Sequence, residues 1–264
     1  MRVATIIVAL AVVPIVSTAA TTERARYLMG TVCEVAAANP EQIELAFAEA
    51  KRIESMLSTW TSDSELARVN RGAEPGLELK TLLDATLQWS EKTNRAFDPR
   101  IGHLIGRTKT VGAIEEGAFG KGYALDRMLA LVDGEAMINF GGQIVVRGAR
   151  DVSVADPANR DHAILAFTLR NASLSTSAGA HILDPRTGKS CGERGSVSVV
   201  VKDALTADIL STALYVMGED DGLRWAAANG IAAVFIDTNK TIRLSPAARE
   251  LRITVIDRDF SMKE

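Results

Sequence analysis

Residues 136–148 read AMINFGGQIVVRG, and the fold turns on how this stretch is taken. Apolar and β-branched residues flank Gly141-Gly142, so the run is a strand pattern in which the glycine pair marks a bulge or a close backbone approach. More β-rich runs follow in succession: VSVAD from Val152, AILAFTLR from Ala163, SVSVVVK from Ser196, IAAVFID from Ile231 and LRITVID from Leu251. Helical spacing occupies other parts of the chain. Asn39-Pro40-Glu41 reads as a cap, a first-turn proline and an acid suited to the helix dipole, ahead of Ile43, Phe47, Ala50, Ile53 and Leu57. Leu79 to Thr93, GYALDRMLALVDG with Gly134 as its stop, and LTADILSTALYVMG with Gly218 as its stop are three further helices. No long Pro/Gly/Ser linker divides the chain. The expected class is α+β, one unit with a largely antiparallel sheet and two lobes around a cleft.

Composition narrows the function classes. The chain has 264 residues, 47% hydrophobic and 24% charged, enough for a substantial core. Its first twenty residues carry Arg2, then an apolar run broken by Pro14, then Ser17-Thr18-Ala19-Ala20, the pattern of a cleaved secretory signal. Ile6 to Val16 is short against the roughly 20 residues of a membrane span, so no stable span is expected after cleavage. Loss of Arg2 moves the charge from −3 to −4, with 29 basic against 33 acidic residues. A mildly acidic chain without a basic tract points away from nucleic acid. Cys33 and Cys191 are too few for a zinc cluster, although export would permit one bond between them.

Three stretches bear chemistry. EEGAFGKGYALD invites a phosphate-loop reading and fails it: Glu115 stands at the first glycine position, Gly122 stands where Ser or Thr must follow the lysine, and Leu125 replaces the third Rossmann glycine. It remains a loop entering a helix, with Lys121 beside free N–H groups, a general anion-binding arrangement. Asp208 and Thr212 are four apart on one helix and share a face, a pair of oxygen donors that suits Mg²⁺ but equally serves capping and back-bonding. In AGAHILDPRTGKSC, Pro185 fixes φ and Gly188 supplies a positive φ, which builds a rigid turn directly after His181. His103 and His162 show no metal-ligand spacing, and no Gly-x-Ser-x-Gly elbow supports a Ser-His-Asp hydrolase.

Taken together, LMGTVCEV, STWTSDSELARVN, AFDPRIG, GAFGKGYALD, INFGGQI, STS, HILDPRTG and TADILSTALYVMG resemble, in order, the motifs of the ApbE family of flavin transferases. The resemblance implies a T-fold-like α+β domain over 21–264 and transfer of FMN from FAD to a Thr or Ser hydroxyl of an acceptor protein, with release of AMP. It places Met29, Trp60 (usually Tyr in the family), Ala96, Phe97, Asp98 and Ile182 at the FAD site. Lys121 and Arg127 reach the phosphates or adenosine, and the Ala124 carbonyl, Asp208, Thr212 and Ser211 hold Mg²⁺. His181 is the implied base, since a neutral imidazole can take a hydroxyl proton at neutral pH. The implied partner is a flavin-carrying subunit of a membrane redox complex, met in the periplasm. The same residues would also serve an FAD pyrophosphatase with water as acceptor, and a non-catalytic FAD-binding protein is the third alternative. The chain departs from the family in a short 107–114 segment, a short turn at 177–180, Glu115-Glu116 for the usual Asp-Leu, and Gln143 where Asp or Asn is common.

Overall fold

The computed structural model describes residues 21–263, so the signal read at 1–20 lies outside the described residues. The chain opens with a hairpin, β1 (Thr22–Leu28) and β2 (Thr31–Ala37), then runs through α1 (Pro40–Leu57), α2 (Glu65–Val69), α3 (Leu77–Lys92) and α4 (Gly120–Leu129). Strands β3 (Ala136–Phe140), β4 (Gln143–Arg147), β5 (Ala149–Asp156), β6 (Asn159–Arg170), β7 (Ser173–Ala178), the short β8 (Leu183–Asp184) and β9 (Lys189–Ser190), and β10 (Ser196–Val201) follow. The remainder is α5 (Ala204–Met217), α6 (Glu219–Ala228), β11 (Ala232–Ile236), β12 (Thr241–Leu244), a 3₁₀ turn at Pro246–Leu251, β13 (Thr254–Val255) and β14 (Ser261–Lys263).

Nine strands form one sheet in the order β1-β2-β3-β4-β7-β10-β11-β12-β14, antiparallel except for the parallel pair β12·β14. A second sheet, β13-β6-β5, lies on one face of the first, and the helices lie on the other. Side-chain alternation explains this arrangement. On β4, Val145 joins the helix-side core while Ile144 and Val146 join the core between the sheets; on β11, Ala233 and Phe235 face the helices while Val234 and Ile236 face the second sheet. Strands buried on both faces need continuous apolar sequence, which is why QIVVR and AAVFI show little alternation.

Asn39 caps α1, its Oδ1 accepting from Glu41 N–H at 2.8 Å, with Pro40 at the first helical position, as the sequence indicated. Other expectations need correction. Gly141-Gly142 is no bulge; it is the two-residue turn of a β3–β4 hairpin, with φ of 64° and 96° and Phe140 opposite Gln143. Two successive positive φ values match the twist of such a hairpin and favour glycine at both positions. The close approach is real, since a Cβ on Gly141 would fall 2.5 Å from the Thr31 hydroxyl. Helix α4 stops at Leu129, short of Gly134, and only Thr254–Val255 of LRITVID is strand, because Pro246–Leu251 closes into the 3₁₀ turn first.

Candidate active site

A cleft of about 1280 Å³ crosses the end of the large sheet, from α4 and α5 past the β3–β4 turn to β5 of the second sheet. Its wall is built from segments far apart in sequence. Helix α4 begins here because the loop before it folds onto its own backbone: Glu116 carbonyl accepts from the N–H groups of Phe119 and Gly120, and Glu115 Oε2 accepts from Gly117 N–H at 2.9 Å. Lys121 occupies the first turn and lines the cleft. Gly122 N–H does not return to the Ala118 carbonyl; it donates to Asp208 Oδ2 on α5 at 2.9 Å. Only glycine permits that approach, since a Cβ would lie 2.4 Å from the Ala204 carbonyl and 2.8 Å from Asp208 Cβ.

Asp208 is 6% exposed. Burial pushes its carboxyl up to about 6, against the opposing pull of the Lys121 charge and of the hydrogen bond from Gly122 N–H. Gln143 donates from Nε2 to the Ala204 carbonyl at 3.2 Å, and its Oε1 is buried with no partner. One turn along α5, Thr212 Oγ1 lies 3.2 Å from Ser177 Oγ on β7. Ser177 Oγ lies 2.9 Å from Ser211 Oγ, which also reaches Ser175 Oγ at 3.1 Å. The Asp208 carboxylate and the Thr212 and Ser177 hydroxyls therefore line one cleft at the α4–α5 junction, with Ala118 in the same wall and the orphan Gln143 oxygen as a further acceptor. Among the described residues no cluster of three or more His, Cys, Asp or Glu side chains exists. A single carboxylate among neutral oxygens fits Mg²⁺, which keeps several of its waters, and does not fit zinc.

His181 follows β7 through Gly179, whose φ of 106° turns the chain, and Ile182 N–H closes the turn on the Gly179 carbonyl at 3.3 Å. His181 and Ile182 line the cleft. The β8–β9 turn behind them is as read from sequence: Gly188 has φ of 68° and donates to the Asp184 carbonyl at 2.8 Å. Ala96, Phe97 and Asp98 line the same cleft. Asp98 and Asp184 anchor matching Asp-Pro-Arg clasps. Asp98 accepts from the backbone N–H, Nε and Nη2 of Arg100 at 3.0, 2.8 and 2.9 Å, and Asp184 accepts from the same three groups of Arg186, each at 2.9 Å. The Asp98 carboxylate, also bound by Arg95 Nε, thus holds its own turn and offers no free charge to a ligand.

Four residues stand elsewhere than expected. Ala124 is fully buried in the helix-side core and is not among the residues that line the cleft; Ala118 does line it, and its carbonyl is the one Gly122 N–H leaves for Asp208. Arg127 points outward from α4 and pairs with Glu49 at 3.1 Å. Ser211 is wholly buried and acts through Ser177. Trp60 is 75% exposed, with the Arg107 guanidinium 3.4 Å from its ring centroid, and it is Arg107 that enters the cleft wall. Met29 sits at the β1–β2 turn and packs on the start of α4, its methyl 3.5 Å from where a Cβ of Gly120 would lie. Ser177, Gln143, Glu115 and Ala118 were not picked out as site residues from sequence. The period-2 spacing of Ser175 and Ser177 in STS was the one usable signal for them. The two cysteines are free and buried. A second cavity, about 380 Å³ beside Arg194, Tyr215 and Phe235, contains none of the sequence-predicted residues.

Comparison with known proteins identifies the fold and the family. A FAD:protein FMN transferase of Klebsiella pneumoniae (strain 342) is 30% identical over 168 residues, 56% of this chain and 53% of that protein. The chain thus spans about half the length of that relative. A FAD:protein FMN transferase of Haemophilus influenzae is 22% identical, with 90% of each chain covered. Among solved structures, the apo form of the Pseudomonas stutzeri flavinyl transferase ApbE superposes with a TM-score of 0.76 at 23% identity, covering 88% of this chain and 96% of that one. The Thermotoga maritima ApbE protein gives 0.80 at 22% identity, covering 88% and 99%, so the fold is shared. The ApbE family model matches residues 29–112 and 107–235, which spans the cleft and both clasps, and the chain belongs to the ApbE family.

Proposed function

We propose that the protein is a Mg²⁺-dependent FAD:protein FMN transferase that moves FMN from FAD to a Thr or Ser hydroxyl of an acceptor protein. The observation that carries the reading is that Lys121, His181, Asp208 and Thr212, from three separate segments, line one cleft. His181 accepts the hydroxyl proton as the oxygen attacks the phosphorus on the riboflavin side of the pyrophosphate; the bond from that phosphorus to the bridging oxygen breaks, and AMP leaves with it. Lys121 sets positive charge beside the phosphates, and the apolar Phe97 and Ile182 offer packing for the flavin. Asp208, Thr212, Ser177 and the Ala118 carbonyl would hold Mg²⁺, which when bound supplies charge neutralisation for the transferring and leaving oxygens. The acceptor in this reading is a flavin-carrying subunit of a membrane redox complex met in the periplasm, which the signal-like residues 1–20 support. Among the described residues no helix is long and apolar enough to cross a membrane.

The test incubates the protein with FAD, Mg²⁺ and, as flavin carrier, an acceptor protein of the related Vibrio cholerae FAD:protein FMN transferase, followed by mass spectrometry of the carrier and an assay for AMP. A mass gain of one FMN with one AMP released is expected, abolished by EDTA and in Asp208→Ala. His181→Ala should retain FAD binding while slowing transfer by roughly 10²–10⁴-fold. AMP and free FMN with an unmodified carrier would instead identify a pyrophosphatase.

A further inference from the structure

The cleft is larger than an ordinary small-molecule pocket. At about 1280 Å³ it exceeds the roughly 300–1,000 Å³ of ordinary small-molecule pockets. Its far wall is unusual in kind, since Asp151 through Pro157 line it without a gap. Successive residues of a strand point to opposite faces, so an unbroken run can line a cleft only along the strand's edge. That strand is β5, the outer strand of the β13-β6-β5 sheet. Its backbone parity can be read from the flanking turn. Asn171 N–H donates to the Gly148 carbonyl at 2.9 Å, and the regular register runs from Ala149 opposite Arg170 to Val154 opposite Leu165. In an antiparallel ladder hydrogen-bonded pairs alternate, so Arg150, Val152 and Val154 bond inward to β6, while Asp151 and Ser153 aim their N–H and C=O groups at the cleft. Among the described residues no main-chain partner meets that edge.

Exposed strand edges are normally blunted by lysine, proline, a bulge or a covering segment. Here the bulge comes only after Val154, and the run 151–154 has neither lysine nor proline. The nearby acids are turned back into their own hairpin: Asp151 Oδ1 accepts from the Thr168 hydroxyl at 2.7 Å, and Asp156 Oδ1 accepts from Ala158 N–H at 2.8 Å. What faces the cleft between them is bare backbone, donors and acceptors repeating every second residue, roughly 6.8 Å apart. A flavin or a nucleotide has no such repeat; an extended polypeptide has it throughout.

We propose that the acceptor protein docks by adding an extended, hydroxyl-bearing segment to the free edge of β5, pairing with Asp151 and Ser153 so that the segment lies along the cleft that holds His181 and Asp208. Recognition then runs chiefly through main chain, with side-chain preference set near the reacting hydroxyl. The proposal rests on the transferase reading.

The experiment uses the mature protein, FAD and the same Vibrio cholerae carrier protein. Ser153→Pro removes one outward N–H while leaving the inward ladder intact, and Ser153→Ala keeps the backbone and removes only the hydroxyl. Ser153→Pro should raise the KM for the carrier up to about tenfold, the loss of one main-chain hydrogen bond, with FAD affinity unchanged; Ser153→Ala should match the wild type. In parallel, amide exchange of the wild-type protein with and without carrier should show new protection at Asp151 and Ser153, a readout that needs neither turnover nor a folded variant. Unchanged carrier KM in Ser153→Pro, or carrier binding without protection at those amides, would overturn edge docking. So would an equal loss of FAD affinity, which makes the edge part of the flavin pocket, or protection that tracks protein concentration without carrier, which makes it a self-association edge. A wild type that transfers no FMN yet shows carrier-dependent protection would fail the transferase reading and leave the docking edge standing.

Discussion

Gly122 shows how much a single hydrogen atom in place of a methyl can decide. Its missing Cβ lets α4 and α5 meet closely enough for its N–H to reach Asp208, so packing and the charge of the site are set by the same residue. Gly122→Ala should cost about 1–3 kcal/mol through overpacking and weaken Mg²⁺ binding, measured by thermal melts with and without the ion. The sequence exposed Lys121 and Asp208 separately, but their junction depends on an approach between two helices that no local pattern encodes. Local chemistry was legible in the clasps, because Asp-Pro-Arg writes its own turn. Burial raises the Asp98 carboxyl, but the Arg100 contacts outweigh it and hold the group below its usual 3.8; Arg186 lowers Asp184 likewise. A carboxyl lowered by folding stabilises the folded state fully above the unfolded value and loses that contribution as pH falls through the folded one. Both clasps should therefore stay intact above pH 3.8 and open only below it. Carboxyl NMR titration should show both midpoints depressed, and Arg100→Ala should raise that of Asp98 alone.

Helix α5 carries Asp208 and Thr212, and its start is held from two directions. Asp203 caps it locally, accepting from Thr206 N–H at 2.8 Å, while Asp126 of α4 accepts from the N–H groups of Ala204 and Leu205 at 2.8 and 2.9 Å. Four amides lack helical partners at any helix start, and three are satisfied here by carboxylates. Asp126→Ala should destabilise by about 1–2 kcal/mol, lowering the melting temperature by roughly 2–4 °C for each kcal/mol, with Asp126→Asn recovering part of the loss. Helices α1, α3, α4 and α5 were legible from apolar residues at 3.6-residue spacing, reinforced in α1 by the Asn39 cap and Pro40. β1 was not, since TERARYL is exposed along its middle and pairs on one side only, so neither burial nor alternation marks it. Helix α6 escaped because Gly218, read as a stop, with φ of 82° ends one helix and begins the next.

Across the whole molecule one sheet separates two cores, and Cys33 lies at zero exposure in the helix-side core. Burial raises its thiol to about 12, so it is unreactive in the folded state. Labelling with a thiol reagent near pH 8 should modify Cys33 only at the rate of global opening, and urea should accelerate it in step with loss of the far-UV signal; fast labelling of folded protein would contradict this burial. The α+β class and the mainly antiparallel pairing were readable from strands in succession, whereas the division into sheets was not, because strand order is fixed by partners distant in sequence. Strands β4, β10 and β11 give side chains to both cores, which leaves them almost no position at which to vary. Freedom to change what the protein handles is therefore left to the rim, in the 107–114 segment and the β5–β6 tip. Lineages that retain this scaffold should diversify by lengthening, trimming or recolouring those two margins, while the middle of the sheet stays almost silent.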